Sequence, residues 1–321
     1  MQEETLSNGS VSTKSPASAI MIANPTSGSY IQYIYQLEEA LSFLRYHGWQ
    51  VELKLTQAAG DAQRLAREAV EQHIDVVIAV GGDGTINEII QALAGSETAL
   101  GVLPGGTANV WAREVGIPLD VSGAREVLVH GQRRHIDLGC ANKRYFLLMA
   151  GIGLDGEVTQ AVEKKPLKRL GALAYLLMGA WLGLNYPSFR AFLQVDGRVV
   201  KVNSLQIIIG NTQLYGGAVK YTWHAKCDDG LLDICIIRKH DMWNRVLIFL
   251  DFILHREQRR QWVYYTTCKS VKLRTRRPIA MQIDGDPVGY TRKGYPPVTF
   301  AIAPQALKVI VPQKTPEGLF S

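Results

Sequence analysis

The chain has 321 residues, 47% hydrophobic and 20% charged, an ordinary globular composition long enough for two cores. Its formal charge of +6 suits an anionic partner such as a nucleotide, a phosphate or an acidic membrane surface, but is too mild, without a nucleic-acid-binding motif, to argue for nucleic acid. The four cysteines have no C-x-x-C pair and no metal-ligand spacing, which argues against a zinc site and implies reduced thiols in a cytosolic protein.

Residues 1–18 are polar, lack the apolar run of a signal peptide, and read as a disordered tail. A short apolar strand over 19–23 runs into the turn Asn24-Pro25-Thr26-Ser27-Gly28. Over 31–46, Ile34, Leu37, Leu41 and Leu44 share one face of a helix that Gly48 stops. Residues 51–55 alternate as a strand, with Thr56 just after its end, and Gly60-Asp61 opens a helix to about residue 73. The apolar run 76–80 reads as a buried strand. It leads into Gly81-Gly82-Asp83-Gly84-Thr85-Ile86-Asn87-Glu88, with helical spacing of Ile86, Ile89, Ile90 and Leu93 from Thr85 onward. One more short strand ends in a second glycine turn, Leu103-Pro104-Gly105-Gly106-Thr107-Ala108-Asn109. This alternation implies a parallel sheet covered on both faces, with ligands beyond the carboxyl ends of its strands. The Asn24 turn, Thr56 and both glycine turns all lie there.

The pattern changes at about residue 136. Strands are expected over 145–150, 189–195, 205–210, 232–237, 270–274, 280–283 and 299–303, some joined by hairpin turns such as Asp196-Gly197. Helices are expected over 166–184 and 243–256. The fold class is therefore α/β: an N-terminal parallel-sheet nucleotide-binding domain over 19–135, a C-terminal β-rich domain over 136–311, and a tail over 312–321. The apolar run 171–184 is shorter than the ~20 residues a spanning helix needs. Lys164, Lys165, Lys168 and Arg169 precede it, so it reads either as a membrane-surface segment or as a helix buried against the β domain. Lys272, Arg274, Arg276 and Arg277 read either as a solvated strand edge or as an anion-attracting patch.

A strand that ends in glycines and opens a helix presents bare backbone N–H groups, a phosphate-binding geometry. Neither turn has the lysine of a P-loop, and the H-R-D and D-F-G motifs of protein kinases are absent. Gly151-Ile152-Gly153-Leu154-Asp155-Gly156 matches G-x-G-x-x-G literally, but no acidic residue follows about 20 positions on, so it reads as a structural turn. A carboxylate beside phosphates repels them unless a cation intervenes. Asp83 therefore suggests a magnesium–nucleotide complex, or a carboxylate aimed at a donor.

The Gly-Gly-Asp-Gly-Thr run, then Pro-Gly-Gly-Thr-Ala-Asn with Ala112-Arg113 close behind, resembles the diacylglycerol kinase catalytic domain superfamily, in particular its bacterial soluble lipid kinases. Sphingosine kinases belong to the same superfamily. The resemblance takes in the Asn24 turn, Gly210-Asn211, Cys227-Asp228-Asp229-Gly230-Leu231 and Ile283-Asp284-Gly285-Asp286, and spans about residues 19–311. It implies two domains, nucleotide-binding and β-rich, with the active site in the cleft between them. It also implies ATP-dependent phosphorylation of a lipid hydroxyl. By motif match ATP would contact Asn24, Pro25, Thr26, Ser27, Gly28, Thr56, Gly82, Asp83, Gly84, Thr85, Ile86, Asn87, Glu88 and Thr107. The family's general base is the second acid of an Asp-Gly-Glu motif. The matching residue here is Asp286, one methylene shorter, with Asp284 as the supporting first acid. A structural Mg2+ site maps to Asp229 with the backbone carbonyls of Lys226 and Leu231.

The expected reaction is ATP- and Mg2+-dependent transfer of the γ-phosphate to a lipid hydroxyl, most simply that of diacylglycerol. Asp286 would be the base, and Asp284 and Asp83 would support it. The alternatives are a NAD kinase-like phosphotransferase and a nucleotide-binding module that has lost catalysis. The expected partners are a lipid with a free hydroxyl and a membrane surface contacted reversibly, from a cytoplasmic location. The sequence leaves open whether the chain forms a homo-oligomer.

Overall fold

A computed structural model describes residues 17–25, 30–163, 183, 185–216, 219–253, 262–291 and 296–321. Residues 1–16 of the tail expected over 1–18, the ATP-contact candidates Thr26, Ser27 and Gly28, the basic cluster at 164–169 and the apolar run 171–184 apart from Gly183 lie outside these residues; the last two positions of that tail are ordered, with Ala17 buried and Ser18 in the first strand. The N-terminal part runs β1 (Ser18–Ala23), α1 (Tyr30–Tyr46), β2 (Gln50–Leu55), α2 (Asp61–Glu71), β3 (Val76–Gly81), α3 (Asp83–Leu93), β4 (Ala99–Pro104), α4 (Val110–Val115) and α5 (Val121–His130). The four strands pair in parallel in the order β2-β1-β3-β4. All six residues of β3 and of β4 are buried, as expected for strands covered by helices on both faces. Helix α3 starts at Asp83, two residues before its apolar periodicity, because Gly82 in extended conformation already serves as its N-cap.

The rest is mostly antiparallel: β5 (Gln132–Ala141), β6 (Arg144–Phe146), β7 (Met149–Gly153), α6 (Leu154–Glu163), β8 (Phe189–Val195), β9 (Arg198–Gly210), β10 (Leu214–Tyr215), β11 (Val219–Lys220), β12 (Leu232–Arg238), α7 (Met242–Ile253), β13 (Val263–Cys268), β14 (Ser270–Thr275), β15 (Ala280–Ile283), β16 (Asp286–Tyr290) and β17 (Val298–Val311). The long strand β9 pairs with β8 along its first half, and with β7 and β12 along its second. Ile207 and Ile209 of β9, Leu193 of β8, Val271 and Leu273 of β14 and Phe300 of β17 close a core of their own.

The single strand expected over 145–150 is two strands, β6 and β7. Between them the backbone turns to aim the N–H groups of Leu147, Leu148 and Met149 at the Asp284 carboxylate. Strand β9 begins well before its apolar half because residues 198–203 are exposed or half-buried. Strand β17 runs past the expected 303 through an irregularity between Ala303 and Leu307, where Gln305 takes a φ of 50°. Its last part pairs with β5 and meets β4 at Val309–Leu100, so one hydrogen-bonded sheet runs through both halves of the molecule. The Lys272 and Arg274 side chains lie on the exposed face of β14, which pairs with β8 and β17. That strand is interior, and the solvated-edge reading does not hold.

Candidate active site

The carboxyl ends of β1, β2, β3 and β4 fall level. Asn24 N–H donates to the Val80 carbonyl at 3.2 Å, Thr56 N–H to that of Ala23 at 2.9 Å, and Gly105 N–H to that of Gly81 at 2.8 Å. The two glycine turns touch backbone to backbone. A Cβ on Gly82 would lie 3.1 Å from the Gly106 Cα, and a Cβ on Gly106 would collide with the Gly82 Cα. Around a Cβ at Gly84, by contrast, there is open space. A cleft of about 730 Å³ opens over these ends. It is lined by Asn24, Pro25, Thr56, Gly82, Gly84, Thr85, Glu88 and Gly106, by Gln57, Ala58, Ala59 and Ala62 beside α2, and by Asp286 from the other half of the chain.

Among the expected residues, Asp83, Ile86, Asn87, Thr107 and Asp284 do not line this cleft. Both Asp83 oxygens accept from the start of α4, at 3.0 Å from Val110 N–H and 3.2 Å from Trp111 N–H. Burial pushes its carboxyl up, against these bonds. Asp83 thus fixes the second glycine turn to the first, helped by Asn109, which takes φ 46° and brackets Gly106 through both of its amide atoms. Ile86 is in the core. Thr107 is exposed. Glu88 accepts from Ala62 N–H at 3.2 Å, tying α2 to α3.

Asn87 is buried and belongs to a chain of contacts that joins the two halves. Its Nδ2 donates to Asp284 Oδ2 at 3.0 Å, and its Oδ1 accepts from Arg144 Nη2 at 3.1 Å. The same Arg144 nitrogen donates to Asp286 Oδ2 at 2.8 Å. Asp284 also accepts the N–H groups of Leu147, Leu148 and Met149 at 2.7–2.9 Å. Burial moves its carboxyl up to about 6, with those bonds opposing. Asp284-Gly285 is a left-handed pair, φ 48° and 85°, at the tip of the β15–β16 hairpin. Asp286 opens β16 and so projects from a braced turn. Neither Arg144 nor Gly106 was singled out as a site residue in the sequence. Gly106 stood inside a recognised turn, but nothing local marked Arg144.

The literal G-x-G-x-x-G stretch is the β7–α6 junction. Asp155 is buried and accepts from Gln282 Nε2 at 2.6 Å, and it does not line the cleft. At the loop before β12, Asp229 Oδ1 accepts from Leu231 N–H at 3.0 Å. Burial first, and then the Asp137 and Asp228 charges, push its carboxyl up. One carboxylate with backbone carbonyls is a hard-oxygen donor set of the kind Mg2+ takes, set among negative charge that a cation would relieve. Among the described residues no group of three or more His, Cys, Asp or Glu comes together to hold a metal. No helix of the described residues is long and apolar enough to cross a membrane.

A cleft over the carboxyl ends of a parallel sheet, faced by a carboxylate from a second, β-rich half, defines a class of α/β protein that takes its ligand at the strand ends. Comparison with known proteins narrows the class. The family described as diacylglycerol kinase catalytic domain matches residues 18–141, and that described as YegS C-terminal NAD kinase beta sandwich-like domain matches 149–311. The chain is 31% identical over 304 residues to a diacylglycerol kinase of Bacillus subtilis (strain 168), covering 94% of this chain and 98% of the relative. It is 30% identical over 270 residues to a diacylglycerol kinase of Staphylococcus aureus (strain bovine RF122 / ET3-1), covering 84% and 85%. A crystal structure of a diacylglycerol kinase from Bacillus anthracis str. Sterne shares the fold with a TM-score of 0.70 at 22% identity, covering 93% and 98%. The chain belongs to the diacylglycerol kinase family and is a kinase.

Proposed function

We propose that this kinase transfers the γ-phosphate of ATP to a lipid hydroxyl, most simply that of diacylglycerol, giving phosphatidic acid. The observation that carries the reading is the cleft, in which the glycine turns of one half face Asp286 of the other. The start of α3 and the open space at Gly84 suit phosphate oxygens, which accept from helix N-terminal N–H groups. Asn24, Pro25, Thr56 and Glu88 line the remainder of the nucleotide site. Asp286 accepts the proton of the attacking hydroxyl, a role typically worth about 10²–10⁴-fold. Asp284 holds the turn that carries it, and Asp83 holds the two phosphate-binding turns together. Mg2+ bound with the nucleotide supplies neutralisation of charge on the β and γ oxygens. A second, structural Mg2+ would be held by Asp229 and the carbonyls of Lys226 and Leu231.

The acceptor is a membrane lipid, so the protein works from the cytoplasm by reversible contact with a bilayer surface. Support for this comes from α7, where Trp243 is 82% exposed and Leu247 and Leu250 follow at helical spacing, also exposed. Aromatic and aliphatic side chains on one helix face beside a net basic chain suit the bilayer interface. The test is transfer of label from γ-labelled ATP, with Mg2+, into vesicles containing diacylglycerol, beside a total lipid extract and NAD. Labelled phosphatidic acid from the wild type, with kcat lowered about 10²–10⁴-fold in Asp286→Asn and ATP binding retained by calorimetry, is the expected result. Label in NAD alone would replace the reading with a NAD kinase activity, and equal turnover by the variant would remove Asp286 as the base.

A further inference from the structure

We infer that Arg144 is a positioning residue for this reaction: anchored to α3, it sets where the Asp286 carboxylate stands relative to the phosphate end of that helix. The inference rests on the kinase reading above. Three observations carry it. The first is that the Arg144 backbone is fixed to α3. Its neighbour Tyr145 gives its N–H to Gln91 Oε1 at 3.0 Å and accepts from Gln91 Nε2 at 2.9 Å. Gln91 Nε2 also donates to the Asn87 carbonyl at 3.0 Å. The turn before β6 is pinned on its other side, where Asn142 exchanges two hydrogen bonds with the Thr299 backbone. The root of the Arg144 side chain therefore moves with the helix that begins at Asp83 and Gly84.

The second observation is that one nitrogen, Arg144 Nη2, serves both Asn87 Oδ1 and Asp286 Oδ2. Asn87 in turn holds Asp284. The chain Asp284–Asn87–Arg144–Asp286 thus ties both acids of the hairpin to Asn87 of α3, one directly and one through Arg144. The two N–H groups of that nitrogen are fixed in the guanidinium plane, whereas an ammonium is a point charge on a flexible stem, so lysine would keep the charge but not the fixed directions.

The third is that stability does not account for the pair. The Arg144 and Asp286 side chains are 39% and 48% exposed, and ion pairs so open to solvent contribute about 0–1 kcal/mol. What the contact does fix is the location of a carboxylate that must meet a substrate hydroxyl, where a misplacement of about 1 Å can cost about 10²-fold.

The test is steady-state kinetics on the full chain with ATP, Mg2+ and diacylglycerol vesicles, with melting temperature and ATP calorimetry on each variant. Arg144→Gln is expected to lower kcat about 10- to 100-fold, with KM for ATP within about two-fold and the melting temperature close to that of the wild type. Arg144→Lys is expected to fall between the two. Asn87→Ala, which cuts the anchor, should lower kcat too, and the double variant should be no more than about two-fold worse than the poorer single one, since both changes break one chain. A kcat for Arg144→Gln within about two-fold of wild type, a rise in KM for ATP with kcat unchanged, or losses that multiply in the double variant would each overturn the inference while leaving the kinase reading standing. No labelled lipid from the wild type would overturn both.

Discussion

At the scale of single residues, the glycines of the proposed nucleotide cleft divide by what surrounds them. Gly84 sits in the first turn of α3 with open cleft around the place where a Cβ would project. Gly84→Ala should therefore fold, and alanine is the better helix former by about 0.5–1 kcal/mol, but its methyl group enters the volume assigned to phosphate. We expect an unchanged or slightly higher melting temperature together with a KM for ATP raised about tenfold, equivalent to about 1.4 kcal/mol. Gly106 is the opposite case: its added carbon meets the Gly82 backbone and comes 2.9 Å from Asn109 Oδ1, neither of which is a flexible chain end. Overpacking of this kind costs about 1–3 kcal/mol. Gly106→Ala should lower the melting temperature and weaken ATP binding together, because the two turns it forces apart are both walls of the site. Thermal melts with and without ATP separate the two outcomes. If both variants lost affinity at unchanged stability, the contact between the turns would not matter to the fold.

At the scale of elements, the chain uses the same device twice, with different consequences. Asp196-Gly197 joins β8 to β9 and Asp284-Gly285 joins β15 to β16, each with both residues at positive φ, the conformation that right-twisted hairpins favour. In each, the aspartate also reaches a neighbouring strand, Asp196 to the N–H groups of Lys269 and Ser270 and Asp284 to those of Leu147, Leu148 and Met149. The second turn is braced from behind as well, since Gly285 N–H donates to Gln282 Oε1 and Gln282 Nε2 donates to Asp155. Asp196→Ala is expected to cost about 0.5–1.5 kcal/mol of stability and to leave kcat alone, as that turn is remote from the cleft. Each Asp284 oxygen accepts two of the four donors, so Asp284→Asn, which turns one oxygen into a donor, leaves two of them without that acceptor, at about 1–3 kcal/mol for each one buried. It should also lower kcat, because Asp286 stands two residues on. Chemical denaturation and kinetics on the pair test this. An Asp284→Asn enzyme of normal kcat would mean that the turn does not position the proposed base, Asp286. Much of this was legible in the sequence where the demand is local: the glycine turns, the Asp-Gly hairpins and the buried strands β3 and β4 announce themselves within a few residues. What was not legible depends on distant partners. Arg144 meets Asn87 across 57 positions and Asp286 across 142, and the break between β6 and β7 is set by a carboxylate more than 130 positions downstream. The first half of β9 lacked an apolar run because that half is not buried.

At the scale of the whole molecule, the two halves are joined by more than the cleft. Strand β17 continues from the β-rich half to β4, and Glu114 of α4 takes the N–H groups of Gln213 and Leu214 beyond β9 at 2.7 and 2.8 Å. Neither half keeps its hydrogen bonds if the other unfolds, so we expect one calorimetric transition, with calorimetric and van't Hoff enthalpies close to equal. Two resolved transitions would contradict it. A single transition makes the pH dependence of stability readable. Burial raises Glu114 to about 7 and Asp155, Asp233 and Asp284 to about 6, above their ordinary values of 4.5 and 3.8. Between those values the folded chain holds protons that the unfolded chain has released, so stability falls as pH rises through this window. The contribution is complete below about pH 4 and is lost by the time the folded groups have ionised, near pH 7. The carboxylates shifted the other way, half-buried Asp61 and exposed Glu97 and Asp241, act at lower pH, outside it. Glu114→Gln removes the highest of these four. The amide cannot accept both backbone N–H groups, so stability drops at every pH. Its decline between about pH 5 and 7 should nevertheless be shallower than that of the wild type, because one proton fewer is released there. Denaturant melts of both proteins across that range measure the slope directly, and parallel slopes would mean that Glu114 ionises in the fold as it does in the unfolded chain.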